Sequence, residues 1–256
     1  MAAPSFAKLL LKHWGIAVSD IPTSAKEESD FLATFGTYKV LIEEKTKIDN
    51  PTRLSQRAAT LSKGEVHGAS TPLVRDNRLS GLVGKAASQL LSSADKDHDF
   101  RLIWFTGTGV DAEAKFHQFI ATIYGTTNIL EMNASHYRRC YFFRNSDFHR
   151  YAQAIDGAIV AHVSGSSISA KLCLNPLSPQ FSTLKNSSVV VPFGTAVEDP
   201  VTQEQEKEVF VVDSDIDRND ESALLAFLQS KYGTLPLMKF DLGYLSASVL
   251  VGENER

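Results

Sequence analysis

Asp30, Glu43 and Lys45 are the residues of this sequence whose types and spacing point most directly to chemistry. Two carboxylates brought together repel each other, and a cation between them removes the conflict. All-oxygen donors of this kind favour Mg²⁺ or Mn²⁺ over zinc. A lysine ammonium beside such an ion would orient an attacking water and offset negative charge developing on a phosphate. Glu43 and Lys45 are two residues apart, so on a strand they project to the same face.

The segment DFLATFGTYKVLIEEKTK, residues 30–47, can bring the three together. Gly36-Thr37 fits a two-residue hairpin turn with glycine at its first central position. Phe35 then opposes Tyr38, and the pairing continues through Thr34 with Lys39, Ala33 with Val40, Leu32 with Leu41 and Phe31 with Ile42. It ends with Asp30 opposite Glu43. One face of this ribbon, Phe31, Ala33, Phe35, Tyr38, Val40 and Ile42, is wholly apolar. That face fixes the register, because a slip of one residue would bury the charges. Directly opposed side chains have Cβ atoms about 4.5–5.5 Å apart, where like charges are destabilising. An ordinary solvent-facing Glu–Lys pair would not need the apolar run that precedes Glu43.

Around the hairpin the chain alternates helical and strand patterns. Residues 4–15 read as a helix between Pro4 and Gly15, and residues 50–64 as another, with Pro51 in the first turn and Gly64 as the stop. Residues 80–94 form a third helical pattern, weakened at Gly84. RLIWF (101–105) reads as a strand, and Asp111 as the cap of a helix over 112–124 closed by Gly125. Further on come CYFF (140–143), a helix from Asp147 to about Ile155, AIVAHV (158–163), KLCL (171–174) and VFVVD (209–213). A helix over 220–232 and a strand near 244–251 complete the pattern. The expected class is α/β, with a mixed central sheet flanked by helices.

Asp30, the apolar strand YKVLI and Glu43-Glu44-Lys45 together resemble the PD-(D/E)xK motif of restriction-endonuclease-like nucleases. The resemblance spans roughly residues 1–125. It implies a nuclease-like core over 1–130 with an α/β extension over 131–256, continuous with the core as one globular unit. It also implies that Asp30 and Glu43 hold Mg²⁺ or Mn²⁺, with a backbone carbonyl near Glu44 and water completing the shell. Lys45 would assist the nucleophilic water. Gln89, one turn beyond Lys85, matches a glutamine that some members place on the following helix. The proline usual before the aspartate is replaced by Ser29, and residues 4–15 lack the acid that many members carry in the first helix. The implied function is metal-dependent hydrolysis of phosphodiester bonds in DNA, with Arg75, Arg78 and Lys85 holding flanking phosphates. The alternative is an inactive member of the same fold serving as a nucleic-acid-binding or protein-interaction module. On either reading residues 131–256 are expected to extend the sheet and shape a substrate groove, or to carry a homodimer or partner-subunit contact.

Composition limits the alternatives. The chain has 256 residues, 43% hydrophobic and 22% charged, with a net charge of −4, so it can bury a substantial core. A protein that coats nucleic acid by charge alone would be basic. Residues 51–90, however, carry six lysines and arginines against two acids, while residues 196–256 carry five against thirteen. Cation is therefore concentrated at Arg53, Arg57, Lys63, Arg75, Arg78 and Lys85. No apolar run approaches the roughly 20 residues of a membrane span. The N-terminus reads as a helix, not a signal peptide. Cys140 and Cys173 are expected as reduced thiols of a cytoplasmic protein.

Other motifs fall short. Asp213, Asp215 and Asp217 have arginine where a calcium loop needs glycine. Gly107-Thr108-Gly109 lacks a following Gly-Lys-Ser/Thr. Gly165-Ser166-Ser167 is not a nucleophile elbow, and the histidines show no metal spacing. His149 and Arg150 read as a helix surface, and Tyr141, Phe142 and Phe143 as core.

Overall fold

The computed structural model describes residues 5–22, 28–240 and 245–250. In chain order the elements are α1 (Phe6–His13), β1 (Ala17–Asp20), β2 (Phe31–Phe35), β3 (Tyr38–Lys47), α2 (Pro51–Leu61), β4 (His67–Pro72), α3 (Asn77–Ser92), β5 (Phe100–Gly107) and α4 (Ala112–Tyr124). They continue with β6 (Thr127–Glu131), β7 (Arg138–Tyr141), α5 (Asp147–Arg150), β8 (Gly157–Ser164), β9 (Ser167–Leu174), α6 (Phe181–Lys185) and a 3₁₀ turn at Ser188–Phe193. The last are β10 (Val197–Glu198), α7 (Pro200–Gln205), β11 (Val209–Val211), α8 (Glu221–Tyr232), β12 (Leu237–Lys239) and β13 (Leu245–Leu250).

A seven-stranded mixed sheet, ordered β1-β2-β3-β5-β8-β9-β10, is the frame of an α/β fold. The first three strands form an antiparallel meander, and β3, β5 and β8 run parallel to one another. Parallel strands require crossovers, here α2 with α3 and then α4. The parallel strands at its centre are buried on both faces, as parallel arrangements are, whereas the edge strand β1 is largely exposed. Ala7 and Leu11 of α1 pack one face against Phe31, Val40, Ile42, Phe100, Leu102 and Trp104. The other face packs α3 and α4 against Leu41, Ile103, Phe105 and Val160, and continues into a second sheet, β11-β7-β6-β12. Strands β8 to β10 lie beyond residue 130 yet complete the first sheet, and residue 130 itself falls within β6.

The hairpin register has Phe31 opposite Ile42 and Phe35 opposite Tyr38, as the alternation predicts. Gly36 takes φ 62°, the left-handed conformation its turn position requires. Other expected elements shift. The helix expected from residue 80 begins at Asn77, because the Asp76 carboxylate caps the amides of Arg78 and Leu79. The helix expected over 147–155 is a single turn. The chain leaves it at Tyr151 so that buried Asp156 can accept from the Arg101 amide and the Ser178 hydroxyl. The strand expected to reach Phe143 stops at Tyr141, where Phe142 turns to φ 59° and its amide reaches the Tyr124 carbonyl. Both cysteines are free and buried. Among the described residues no helix is long and apolar enough to cross a membrane.

Candidate active site

Strand alternation assigns Leu41, Glu43, Lys45 and Lys47 to the sheet face covered by α3, and Val40, Ile42 and Glu44 to the face covered by α1. Asp30 stands just before β2. Its amide donates to the Ile42 carbonyl at 3.2 Å, and its Oδ2 accepts from the Glu44 amide at 2.7 Å. The preceding residue, buried Ser29, donates its amide to Ser93 Oγ at the end of α3 at 2.8 Å. The aspartate is thereby fixed to both the hairpin and the helix.

Glu43 is 1% exposed. Its Oε1 accepts from Lys45 Nζ at 2.5 Å, whereas its Oε2 is buried with no hydrogen-bond partner. Burial pushes the Glu43 carboxyl up to about 7. The Lys45 hydrogen bond opposes this, while the neighbouring Asp30 carboxyl adds to it. Lys45 also donates to Gln89 Oε1 at 2.8 Å, and Gln89 Nε2 donates to the Glu28 carbonyl at 3.3 Å. That second bond fixes the Gln89 amide so that its oxygen faces the lysine. Asp30, Glu43, Lys45 and Gln89 thus form one cluster on the α3 face, with Asp30 exposed and Glu43 beneath it.

The Glu44 carboxylate does not join them. It faces the opposite side of the sheet, where Oε1 accepts from the Ala7 amide at 3.1 Å and Oε2 accepts from the Ser5 hydroxyl. A carboxylate at the N-terminus of α1 satisfies the helix's free amides and its dipole. What Glu44 gives the site is its amide, which holds Asp30.

The cations expected to touch phosphate divide into two kinds. Arg75 is committed within the protein: Nε donates to the Asn145 carbonyl at 3.0 Å, Nη2 to Ser80 Oγ at 3.0 Å, and Asp147 lies 3.8 Å away. Arg78 and Lys85 are exposed on α3. Arg78 lines a cleft of about 1100 Å³ bounded by α2, β4, β13, α3 and the C-terminal end of β3. Lys85 lines a shallower hollow along α3, together with Ser88, Arg150 and Tyr151.

Two residues that sequence reasoning missed, Ser93 and Glu28, hold the cluster in place. Their contacts join residues 64 and 61 positions apart, and no local pattern signals them. Among the described residues no three His, Cys, Asp or Glu side chains converge as a metal cage. The site instead offers two carboxylates, one of them carrying an unpartnered buried oxygen. That donor set fits Mg²⁺, which keeps several waters and binds through one or two carboxylates. Compared with family models, curated proteins and solved structures, the chain finds no match.

Proposed function

We propose that this protein is a metal-dependent nuclease of the PD-(D/E)xK kind, hydrolysing phosphodiester bonds in DNA. The observation that carries this reading is Glu43, a buried carboxylate left with one free oxygen beside Asp30 and Lys45. The chain order of helix, hairpin, crossover and parallel strand supports it, as does the placement of Gln89 against Lys45. Two free, buried thiols suit a reducing cytoplasmic setting.

Asp30 and Glu43 would hold Mg²⁺ or Mn²⁺, which when bound would supply a Lewis acid for the phosphate and lower the pKa of a coordinated water. The protein's own side chains do the rest. A lysine ammonium has three donors; Glu43 and Gln89 take two and fix its direction, leaving the third for a water or a phosphate oxygen. Burial beneath Asp30 lowers the local dielectric, which strengthens the ammonium's stabilisation of charge in the transition state.

The test is cleavage of plasmid DNA and of an end-labelled oligonucleotide with Mg²⁺ or Mn²⁺. The wild type is compared with Glu43→Ala and Lys45→Ala. The expected result is cutting by the wild type and a loss of about 10²–10³-fold or more in each variant, the scale for removing an electrostatic group from a transition state. A folded wild type that cuts no nucleic acid and binds no divalent ion would overturn the proposal in favour of a non-catalytic binding module.

A further inference from the structure

The cleft beside α2 combines two properties that rarely share a surface. Lys47, Arg53, Arg57 and Arg78 line it, and no carboxylate of the described residues reaches any of them. Several cations elsewhere are paired: Lys39 with Asp97, Lys96 with Glu28, Lys171 with Glu198, Lys231 with Glu204 and Lys239 with Glu221. Three acids stand on the cleft wall: Asp49 is engaged by Lys115 and the Val110 amide, Asp76 by the first turn of α3, and Asp111 precedes α4 without a side-chain cap. Among these cations stand exposed aliphatic groups, Ile48 at 66%, Leu54 at 41% and Val110 at 45%.

The wall itself is unusual. None of the residues of α2 is buried, so this helix contributes nothing to the core and stands as one side of the cleft. Arg53 and Arg57, at positions i and i+4, share one of its faces. Lys47 lies two residues beyond Lys45 on the same face of β3, about 7 Å along the strand. The cleft therefore starts where the candidate active site ends.

We propose that this cleft is the bed of a single-stranded nucleic acid feeding the Asp30–Glu43–Lys45 site, an inference that rests on the nuclease reading and specifies its substrate. A ligand suited to the cleft must present anionic groups and apolar faces together. A duplex keeps its base faces stacked inside and offers its outer surface as phosphate, so the aliphatic walls gain nothing from it. A single strand exposes both, its phosphates to the arginines and its base faces to apolar side chains. The size of the cleft, about 1100 Å³, is that of a pocket enclosing a short segment, not of a surface lying across a helix.

The test is fluorescence anisotropy of a labelled twelve-nucleotide single strand in EDTA, titrated against salt. The wild type is compared with the Arg53→Gln/Arg57→Gln double variant and with Lys12→Gln, a control on the opposite face of the sheet. With no metal present, hydrolysis cannot enter the readout. The expected result is tighter binding of the strand than of a duplex of the same sequence. Removing one cation from a phosphate lowers the log–log salt slope by about 0.7, so the double variant should fall by about 1.4, or roughly 25-fold in affinity at 0.1 M salt. Lys12→Gln should match the wild type. Equal or tighter binding of duplex, an unchanged slope in the double variant, or equal competition by polyglutamate or by a mononucleotide would overturn the proposal. If duplex cleavage with Mg²⁺ persists in that case, the strand bed fails and the nuclease reading stands. If strand binding holds without cleavage, the reverse is true.

Discussion

Glu43 and Glu198 are both glutamates inside this molecule, 1% and 2% exposed, and their surroundings differ in kind. Glu198, on β10, receives Arg139 Nη1 at 2.7 Å, Lys171 Nζ at 2.5 Å and the Tyr141 hydroxyl. Burial pushes its carboxyl up, but the two cations outweigh that and hold it below the usual range. It joins β7 of the second sheet to β9 and β10 of the first. Glu43 has one cation, one unpartnered oxygen and a carboxylate neighbour, and it titrates near 7. A buried charge with every lone pair met is part of the scaffold. One left short of partners is held there at a cost in stability, and such groups concentrate at functional sites.

The comparison can be broken from either side. The larger loss of stability belongs to Glu198→Ala, which takes from Arg139 and Lys171 the buried carboxylate they share. Removing one partner of a buried pair costs about 3–5 kcal/mol, and because these cations are 31% and 33% exposed the expected loss is about 3 kcal/mol, at the lower end. The pKa of Glu198 is depressed by folding, so its contribution exists above the unfolded pKa and vanishes as pH falls through the folded one. Urea unfolding at pH 7 and again in acid should show the penalty large, then small.

Glu43→Gln should act in the opposite direction. The pKa of Glu43 is raised by folding, so its contribution to stability is whole below the ordinary value of 4.5 and is lost as pH rises to about 7. A shift of that size corresponds to roughly 3 kcal/mol at 1.36 kcal/mol per unit. That shift is already net of the Lys45 ion pair, so the metal-free variant should be more stable than the wild type by about 3 kcal/mol at pH 8 and equal to it near pH 4. A variant less stable at pH 8 would mean that Glu43 is a satisfied structural charge like Glu198.

The hairpin was legible from sequence because its determinants are local. Gly36 fixes the turn, alternation fixes the register, and Asp30, Glu43 and Lys45 follow from both. What makes the site distinctive was not legible. Glu43 is buried because α3 and β5 close over β3, and those residues lie tens of positions away. Glu44 was expected to serve the metal through a backbone carbonyl near it, and its side chain had no assigned place; period-two alternation turns that carboxylate to the other face, where it meets α1 through residues 37 and 39 positions earlier. The pairing of β4 with β13 joins His67 to Leu250, and the small and polar residues of HGASTP give no alternating pattern to announce it. For the same reason the wall formed by α2 and β4 could be seen only as a concentration of arginines. Arg75 looked like its neighbour Arg78, yet its bonds to Asn145 and Ser80 and its approach to Asp147 commit it to the interior.

The most direct test of the central claim is the titration of the Glu43 side-chain carboxyl, followed by carbon-13 NMR from pH 3 to 9 with and without Mg²⁺. The expected result is a midpoint near 7 without metal, a fall well below the ordinary carboxylate value when Mg²⁺ saturates the site, and no response of Glu198 to the ion. A Glu43 midpoint at the ordinary value, or one that Mg²⁺ leaves unmoved, would contradict it.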